Sequence, residues 1–237
     1  MKLSIIIPLY NEENFILEVL AKVMSVHFPE FVSTYEIIVV DDCSQDNSYQ
    51  KVSHFIKKKS CIKLLRHEVN KGKGAAVRTG IQAAMGDVFF VQDADLELTP
   101  LDIPLMLQAM HDLKVEFVNG SRYLAGIDRP GYSYVRYFFN KLFTRLTAFL
   151  TRSKITDMAC GYKLFHRNLY EKIILHEDRF CFETELIIKA LRVQKNNMAE
   201  VPVHYFPRTK KHGKKLKTSD GLIMFWAIIK YGLLRLN

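Results

Sequence analysis

Asp87-Val88-Phe89-Phe90-Val91-Gln92-Asp93-Ala94-Asp95 sets a short apolar run directly against two carboxylates. Consecutive β-branched and aromatic residues suit a strand buried on both faces. The acids that follow suit the open end of such a strand. The same figure occurs upstream, where Glu36-Ile37-Ile38-Val39-Val40 runs into Asp41-Asp42. Leu3 to Pro8 and Ile62 to Leu65 are two further strand-like runs. Helical signals separate them. Asn11 reads as a cap, with Glu12 and Glu13 in the first turn and Phe15, Val19, Leu20 and Val23 as the apolar stripe. Ser44 to Asn47 open a second helix, and Gly74 to Ala84 form a third that Gly86 closes. Strands alternating with helices predict an α/β, Rossmann-like, doubly wound sheet, mixed or mostly parallel, flanked by helices.

In such sheets ligands bind at the carboxyl ends of strands. Asp41, Asp42, Asp93 and Asp95 all fall there, and carboxylates gathered on one edge repel each other unless something positive joins them. A divalent cation and the donor groups of a nucleotide base satisfy that requirement. On an extended segment Asp93, Asp95 and Glu97 share one face, and hard oxygen ligands of this kind suit Mg2+ or Mn2+. The bland alternative is a solvated acidic turn. Asn70-Lys71-Gly72-Lys73-Gly74 has glycines that admit close backbone approach just before a helix N-terminus, which favours phosphate. It reads equally well as a surface loop with solvated lysines.

The 237 residues, 49% of them hydrophobic, suffice for one large core. The net charge of +9 points to anionic partners: phosphorylated substrates, anionic lipid or nucleic acid. Nucleic acid is disfavoured, because no recognisable reading module or stacking platform is present. Cys43, Cys61, Cys160 and Cys181 lack metal or redox spacing and read as buried thiols. The apolar Leu3 to Leu9 meets Asn11, Glu12 and Glu13 with no small-residue cleavage site, so a cytoplasmic catalytic part is expected.

Taken in order, Ile6-Ile7-Pro8-Leu9-Tyr10-Asn11-Glu12, Val39-Val40-Asp41-Asp42, Asn70 to Gly74 and Asp93-Ala94-Asp95 resemble the signatures of family-2 glycosyltransferases with the GT-A fold. The likeness continues through Asn119-Gly120-Ser121-Arg122-Tyr123, Asp157 to Phe165 and Phe182-Glu183-Thr184-Glu185. It is strongest to the dolichyl- or polyprenyl-phosphate mannose and glucose synthase branch. The resemblance implies an inverting hexosyl transfer from a nucleotide sugar, of the GDP-mannose or UDP-glucose/UDP-GlcNAc type, to a dolichyl or undecaprenyl phosphate. A saccharide or protein hydroxyl is the alternative acceptor.

The same likeness assigns roles. Pro8, Tyr10, Glu12 and Asp41 hold the nucleoside, with Lys73 and Ala94 completing the donor site. Asp93, Asp95 and Glu97 take the metal and diphosphate, Glu97 standing where mannose synthases often carry Gln. Arg122, Arg136, Asn140 and Arg208 receive the acceptor phosphate. Asp157 orients the sugar, acts as a base for a hydroxyl acceptor, or simply caps a loop, and Glu183 is the other candidate base for such an acceptor. Arginine's planar fork independently suits phosphate.

One domain over 1–237 is expected, with residues 1–125 for the nucleotide sugar and 126–237 facing acceptor and membrane. Tyr134 to Arg152 places Phe138, Leu142, Leu146 and Phe149 at helical spacing with Arg145 and Arg152 on other faces, as an interfacial helix or a core helix would. Gly221 to Ile229 is apolar but shorter than the roughly 20 residues a span needs. Arg208 to Lys217 carries six basic residues. A peripheral association with the cytoplasmic face of a membrane, or with an integral membrane partner, follows.

Overall fold

The computed structural model describes residues 1–57, 59–124, 134–179, 181–195, 197–208 and 219–235, with all their side chains except those of 134–136 and 219–220. The chain runs β1 (Lys2–Leu9), α1 (Ile16–Met24), β2 (Thr34–Asp41), α2 (Ser48–Phe55), β3 (Ile62–Arg66), α3 (Lys73–Ala83) and β4 (Val88–Val91). It continues with α4 (Ile103–Leu113), β5 (Phe117–Ser121), α5 (Tyr134–Thr151), β6 (Lys163–His166), α6 (Arg167–Tyr170), α7 (Phe182–Val193), β7 (Ala199–Pro202) and α8 (Ser219–Ala227). A π-helical stretch, Ile228–Leu233, extends α8.

The strands form one mixed sheet in the order β3-β2-β1-β4-β6-β5-β7. β1 pairs in parallel with both β2 and β4, whereas β6 runs antiparallel to β4 and β5. Period-two alternation splits the central strands between two cores. Leu3, Ile5, Ile7, Leu9, Ile37 and Val39 pack on one face, with Val19 and Leu20 of α1 and Met106 and Leu107 of α4. Ile6, Ile38, Val40 and Phe89 pack on the other, with Val77 of α3, Phe143 of α5, Leu186 of α7 and Tyr231. Each fully buried aliphatic or aromatic side chain contributes about 1.5–3 kcal/mol of burial, so the sheet is held from both sides. The order turns back between β1 and β4, and that is where a doubly wound sheet opens its ligand crevice.

Three expectations are revised. Asn11 does not cap α1. It adopts a left-handed φ of 49°, and its Oδ1 accepts from the Gln45 amide at 2.8 Å. Ser48 Oγ accepts from the Glu12 amide at 2.9 Å, so the segments after β1 and β2 clasp each other and α1 starts later. The Asp93–Glu97 segment is a turn, not an extended strand end. Leu96 has a φ of 58° and the Glu97 amide bonds Asp95 Oδ1 at 3.0 Å. Of the cysteines only Cys160 and Cys181 are buried, while Cys43 and Cys61 are half-buried.

α5 presents two characters at once. Phe143, Thr144 and Thr147 are buried, whereas Phe138, Leu142 and Phe149 are exposed. α8 lies near it, with the Phe143 and Phe225 rings 6.4 Å apart, and adds exposed Leu222, Ile223 and Trp226. Among the described residues no helix is long and apolar enough to cross a membrane. The 125/126 boundary and Lys210 to Lys217 lie outside the described residues.

Candidate active site

The ends of β1, β2 and β4 converge at the crevice. Pro8 is half-buried and pairs in register with Val40, one residue before Asp41. Tyr10 follows, also half-buried, and Glu12 is buried. Asp41 is fully buried. Its Oδ2 lies 3.3 Å from both the Ser44 amide and Arg66 Nε, but its Oδ1 has no hydrogen-bond partner. A buried acceptor left unpaired costs about 1–3 kcal/mol, so this oxygen is set for an incoming donor.

Asp42 serves a different purpose. Its carboxylate accepts from the Lys71 amide at 2.9 Å, the Gly72 amide at 2.7 Å and Asn70 Nδ2 at 2.9 Å, and lies 2.7 Å from His67 Nδ1. The loop from Asn70 to Gly74 therefore spends its amides on an internal anion. Its glycines approach protein and not ligand. A Cβ on Gly72, whose φ is 102°, would overlap the Asp178 carbonyl, and one on Gly74 would overlap that of Glu177. What the loop contributes to the crevice is Lys73. Its Nζ lies 2.5 Å from both Asp93 Oδ1 and Glu183 Oε1. Burial works against the Lys73 charge, but Asp93 and Glu183 outweigh it and hold the ammonium well above the ordinary lysine value.

Asp93 and Asp95 leave β4 on either side of the buried Ala94. Gly161 lets the Asp93 carboxylate lie against the backbone, because a Cβ there would strike Asp93 Oδ2. Burial, with Asp93 and Glu97 alongside, pushes the Asp95 carboxyl up to about 7 despite Arg208. Arg208 sits inside the acidic row. Its two Nη atoms reach the Glu12 oxygens at 2.8 and 3.1 Å, and Nη2 also reaches Asp95 Oδ2 at 3.2 Å. Its amide donates to Glu97 Oε1 at 2.9 Å, and the Tyr205 hydroxyl donates to Glu97 Oε2 at 2.8 Å. Among the described residues no three acidic, His or Cys side chains are gathered as metal ligands, and Lys73 and Arg208 are paired with Asp93 and Asp95. The donor set is nevertheless chemically suited to a hard divalent cation: three carboxylates, a surplus of negative charge and a raised Asp95.

On the acceptor side, Arg122 follows β5 and forks onto the fully buried Asp157, Nε to Oδ2 at 2.7 Å and Nη2 to Oδ1 at 2.9 Å. Its amide also donates to Asp157 Oδ2 at 3.1 Å. Burial would raise the Asp157 carboxyl, but Arg122 prevails and holds it below the ordinary value. A carboxylate so paired is a poor proton acceptor. Asn140 on α5 joins them, its Nδ2 at 2.9 Å from the Tyr123 hydroxyl and 3.2 Å from Asp157 Oδ1. The side chain of Arg136, also on α5, lies outside the described residues.

Sequence-based expectation missed the scaffold beneath this pair. Lys163 is fully buried, and its Nζ donates to Asn119 Oδ1 at 2.7 Å and to the Cys160 carbonyl. Asn119 in turn donates to Glu200 Oε1 and the Asp157 carbonyl, each at 2.8 Å. The only signal was polar residues set within apolar strand runs.

A model of glycosyl transferase family 2 matches residues 4–174. The chain is 32% identical over 216 residues to a dolichyl-phosphate beta-glucosyltransferase of Trichomonas vaginalis, covering 85% of this chain and 63% of that one. It is 30% identical over 216 residues to a dolichol-phosphate mannosyltransferase of Pyrococcus furiosus, covering 90% of this chain and 59% of the other. It thus spans about three-fifths of the length of these two relatives. The fold matches that of glucosyl-3-phosphoglycerate synthase from Mycobacterium tuberculosis, solved with Mn2+, uridine diphosphate and phosphoglyceric acid, with a TM-score of 0.73, 18% identity and coverage of 97% of this chain and 78% of that one. The sheet order, the acid-lined crevice and the match over most of the chain agree: this protein belongs to glycosyl transferase family 2.

Proposed function

We propose that the protein is an inverting hexosyltransferase that moves sugar from a nucleoside diphosphate to a polyprenyl phosphate of the dolichyl or undecaprenyl type. The observation that carries the donor half is that the orphaned buried Oδ1 of Asp41, at the end of β2, and the Asp93–Asp95–Glu97 row after β4 stand at the same sheet edge on either side of β1. The first suits an N–H or O–H of the nucleoside, with Pro8, Tyr10 and Glu12 alongside. The second suits a cation and diphosphate. Mg2+ or Mn2+ held by Asp93, Asp95 and Glu97 would offset the charge that builds on the departing diphosphate. Lys73, beside Asp93, adds positive charge there.

For the acceptor, the names of the relatives and the chain's own chemistry point the same way. A phosphomonoester has a second pKa of about 6 and is largely dianionic at neutral pH, so it attacks the anomeric carbon without a base. The protein has only to orient two anions and relieve their repulsion. Arg122, Arg136, Asn140 and Arg208 supply that charge and orientation. A hydroxyl acceptor would need a base, and both candidates are ill suited, Asp157 being locked to Arg122 and Glu183 paired with Lys73. The exposed apolar side chains of α5 and α8 support a peripheral seat on the cytoplasmic face of a membrane, directly or beside an integral partner. Residues 1–125 then handle the nucleotide sugar, and 126–237 face acceptor and lipid.

The test offers purified protein, with Mn2+ or Mg2+, a short-chain polyprenyl phosphate and labelled UDP- and GDP-sugars, and counts label in the organic phase. Transfer from one donor, abolished by EDTA and by Asp95→Ala, is expected. Donor binding without lipid label would remove the acceptor assignment and leave the nucleotide site.

A further inference from the structure

Arg208 is an unusual occupant of a metal-binding row. It is joined to Glu12 across 196 residues of sequence, and its side chain is only 12% exposed. It contacts three of the carboxylates read as donor-site residues: Glu12 through both Nη atoms, Asp95 through Nη2 and Glu97 through the backbone amide. Yet the hold is incomplete. Its buried Nε has no hydrogen-bond partner and lies 3.9 Å from Glu97 Oε1. Phe15 stacks beneath, with its ring centroid 5.0 Å from the guanidinium carbon.

We propose that Arg208 is the resident counter-ion of this row, which a divalent cation must expel in order to bind. Two positive groups cannot share Asp95 and Glu97 at these distances, because like charges a few ångströms apart in a half-buried site repel strongly. Arg208 therefore keeps the acidic crevice folded and charge-balanced in the resting enzyme and weakens its affinity for metal alone. Once expelled, its planar fork is released from Glu12 and free to take a phosphate. Binding is thereby ordered, metal and donor before acceptor. The inference rests on the reading of Asp93, Asp95 and Glu97 as the metal row.

The experiment titrates Mn2+ into nucleotide-free protein at pH 8, by calorimetry and by the electron paramagnetic resonance of free Mn2+, for the natural protein, Arg208→Ala and Arg208→Lys. Arg208→Ala is expected to bind Mn2+ at least about tenfold more tightly, and Arg208→Lys to fall between, since relief of about 1.4 kcal/mol of repulsion gives that factor. Equal or weaker binding by Arg208→Ala, with metal bound by the natural protein, overturns the counter-ion role. No Mn2+ binding by any of the three, with or without UDP or GDP, overturns the metal row itself and the inference with it. Should Arg208→Ala fail to fold, amide hydrogen exchange on the natural protein decides. Mn2+ must speed exchange across Tyr205–Arg208, where the Arg208 amide loses Glu97, and unchanged exchange with metal bound rejects the idea.

Discussion

Asp41 and Asp42 show what one position decides. Both are acids at the end of β2, and both are buried. Successive residues of extended chain point to opposite sides, so the first faces the crevice and the second the Asn70–Gly74 loop. Asp41 is under-satisfied and Asp42 has four donors. Their substitutions should therefore separate. Asp41→Asn is expected to weaken nucleotide binding by about tenfold or more, as loss of a charge-assisted hydrogen bond does, while the melting temperature changes little, because the amide oxygen still accepts from Ser44 and the lost partner, Arg66, is exposed to solvent. Asp42→Ala is expected to lose roughly 2–4 kcal/mol in urea denaturation, because several loop donors lose their acceptor together. Calorimetric nucleotide titration and denaturation of both variants check the pair. Gly161→Ala should act only through Asp93: its Cβ would displace that carboxylate, lowering affinity for Mn2+ with little effect on Asp41-dependent nucleotide contacts. Spacing along the chain showed that acids stand at strand ends. It did not show which of two neighbours serves the ligand, because that depends on a loop about thirty residues away in sequence.

Between elements, Asp157 is the tie. Its carboxylate binds Arg122 after β5 and Asn140 on α5, while its backbone carbonyl binds Asn119 within β5. Breaking a buried ion pair by removing one partner costs about 3–5 kcal/mol, so Asp157→Ala should be strongly destabilised. The pH dependence has a definite sign. The folded carboxyl titrates below its ordinary value of about 3.9, so its stabilisation is present above that value and lost as pH falls through the folded one. Urea denaturation of the natural protein should lose stability below about pH 4, and Asp157→Asn should flatten that limb while starting from a lower plateau. β1, β2 and β4 were legible from hydrophobic runs because they are buried on both faces, whereas β3, an edge strand with only Ile62 buried, and α3 were legible from their short apolar and helical patterns. The antiparallel course of β6 was not, since Lys163-Leu164-Phe165-His166 reads alike in either direction. Nor was the Asn119–Lys163–Glu200 scaffold, whose members meet only in the folded sheet.

At the scale of the whole molecule, the crevice and the apolar surface share α5. Asn140 turns inward to Tyr123 and Asp157 while Phe138, Leu142 and Phe149, at helical spacing, stay exposed at 63%, 47% and 79%. α8 widens this patch with Leu222 and Trp226. Exposed apolar side chains gathered in this way mark an interaction surface, and the net charge of +9 favours an anionic one. Under the proposed function, with this patch on a bilayer, a lipid acceptor would reach Asn140 without leaving the membrane. Trp226 is the single tryptophan, so its emission reports the patch alone. Vesicles containing anionic lipid are expected to shift that emission to shorter wavelength, and raised salt to weaken the effect. The double variant Phe138→Ser with Phe149→Ser should partition at least about tenfold less, since each large apolar side chain contributes about 1.5–3 kcal/mol when fully withdrawn from water. Its turnover of a short-chain, detergent-dispersed acceptor should remain near that of the natural protein, whereas turnover of vesicle-embedded acceptor should fall. Equal loss on both acceptors would place these residues in the chemistry of the crevice and not at the membrane surface.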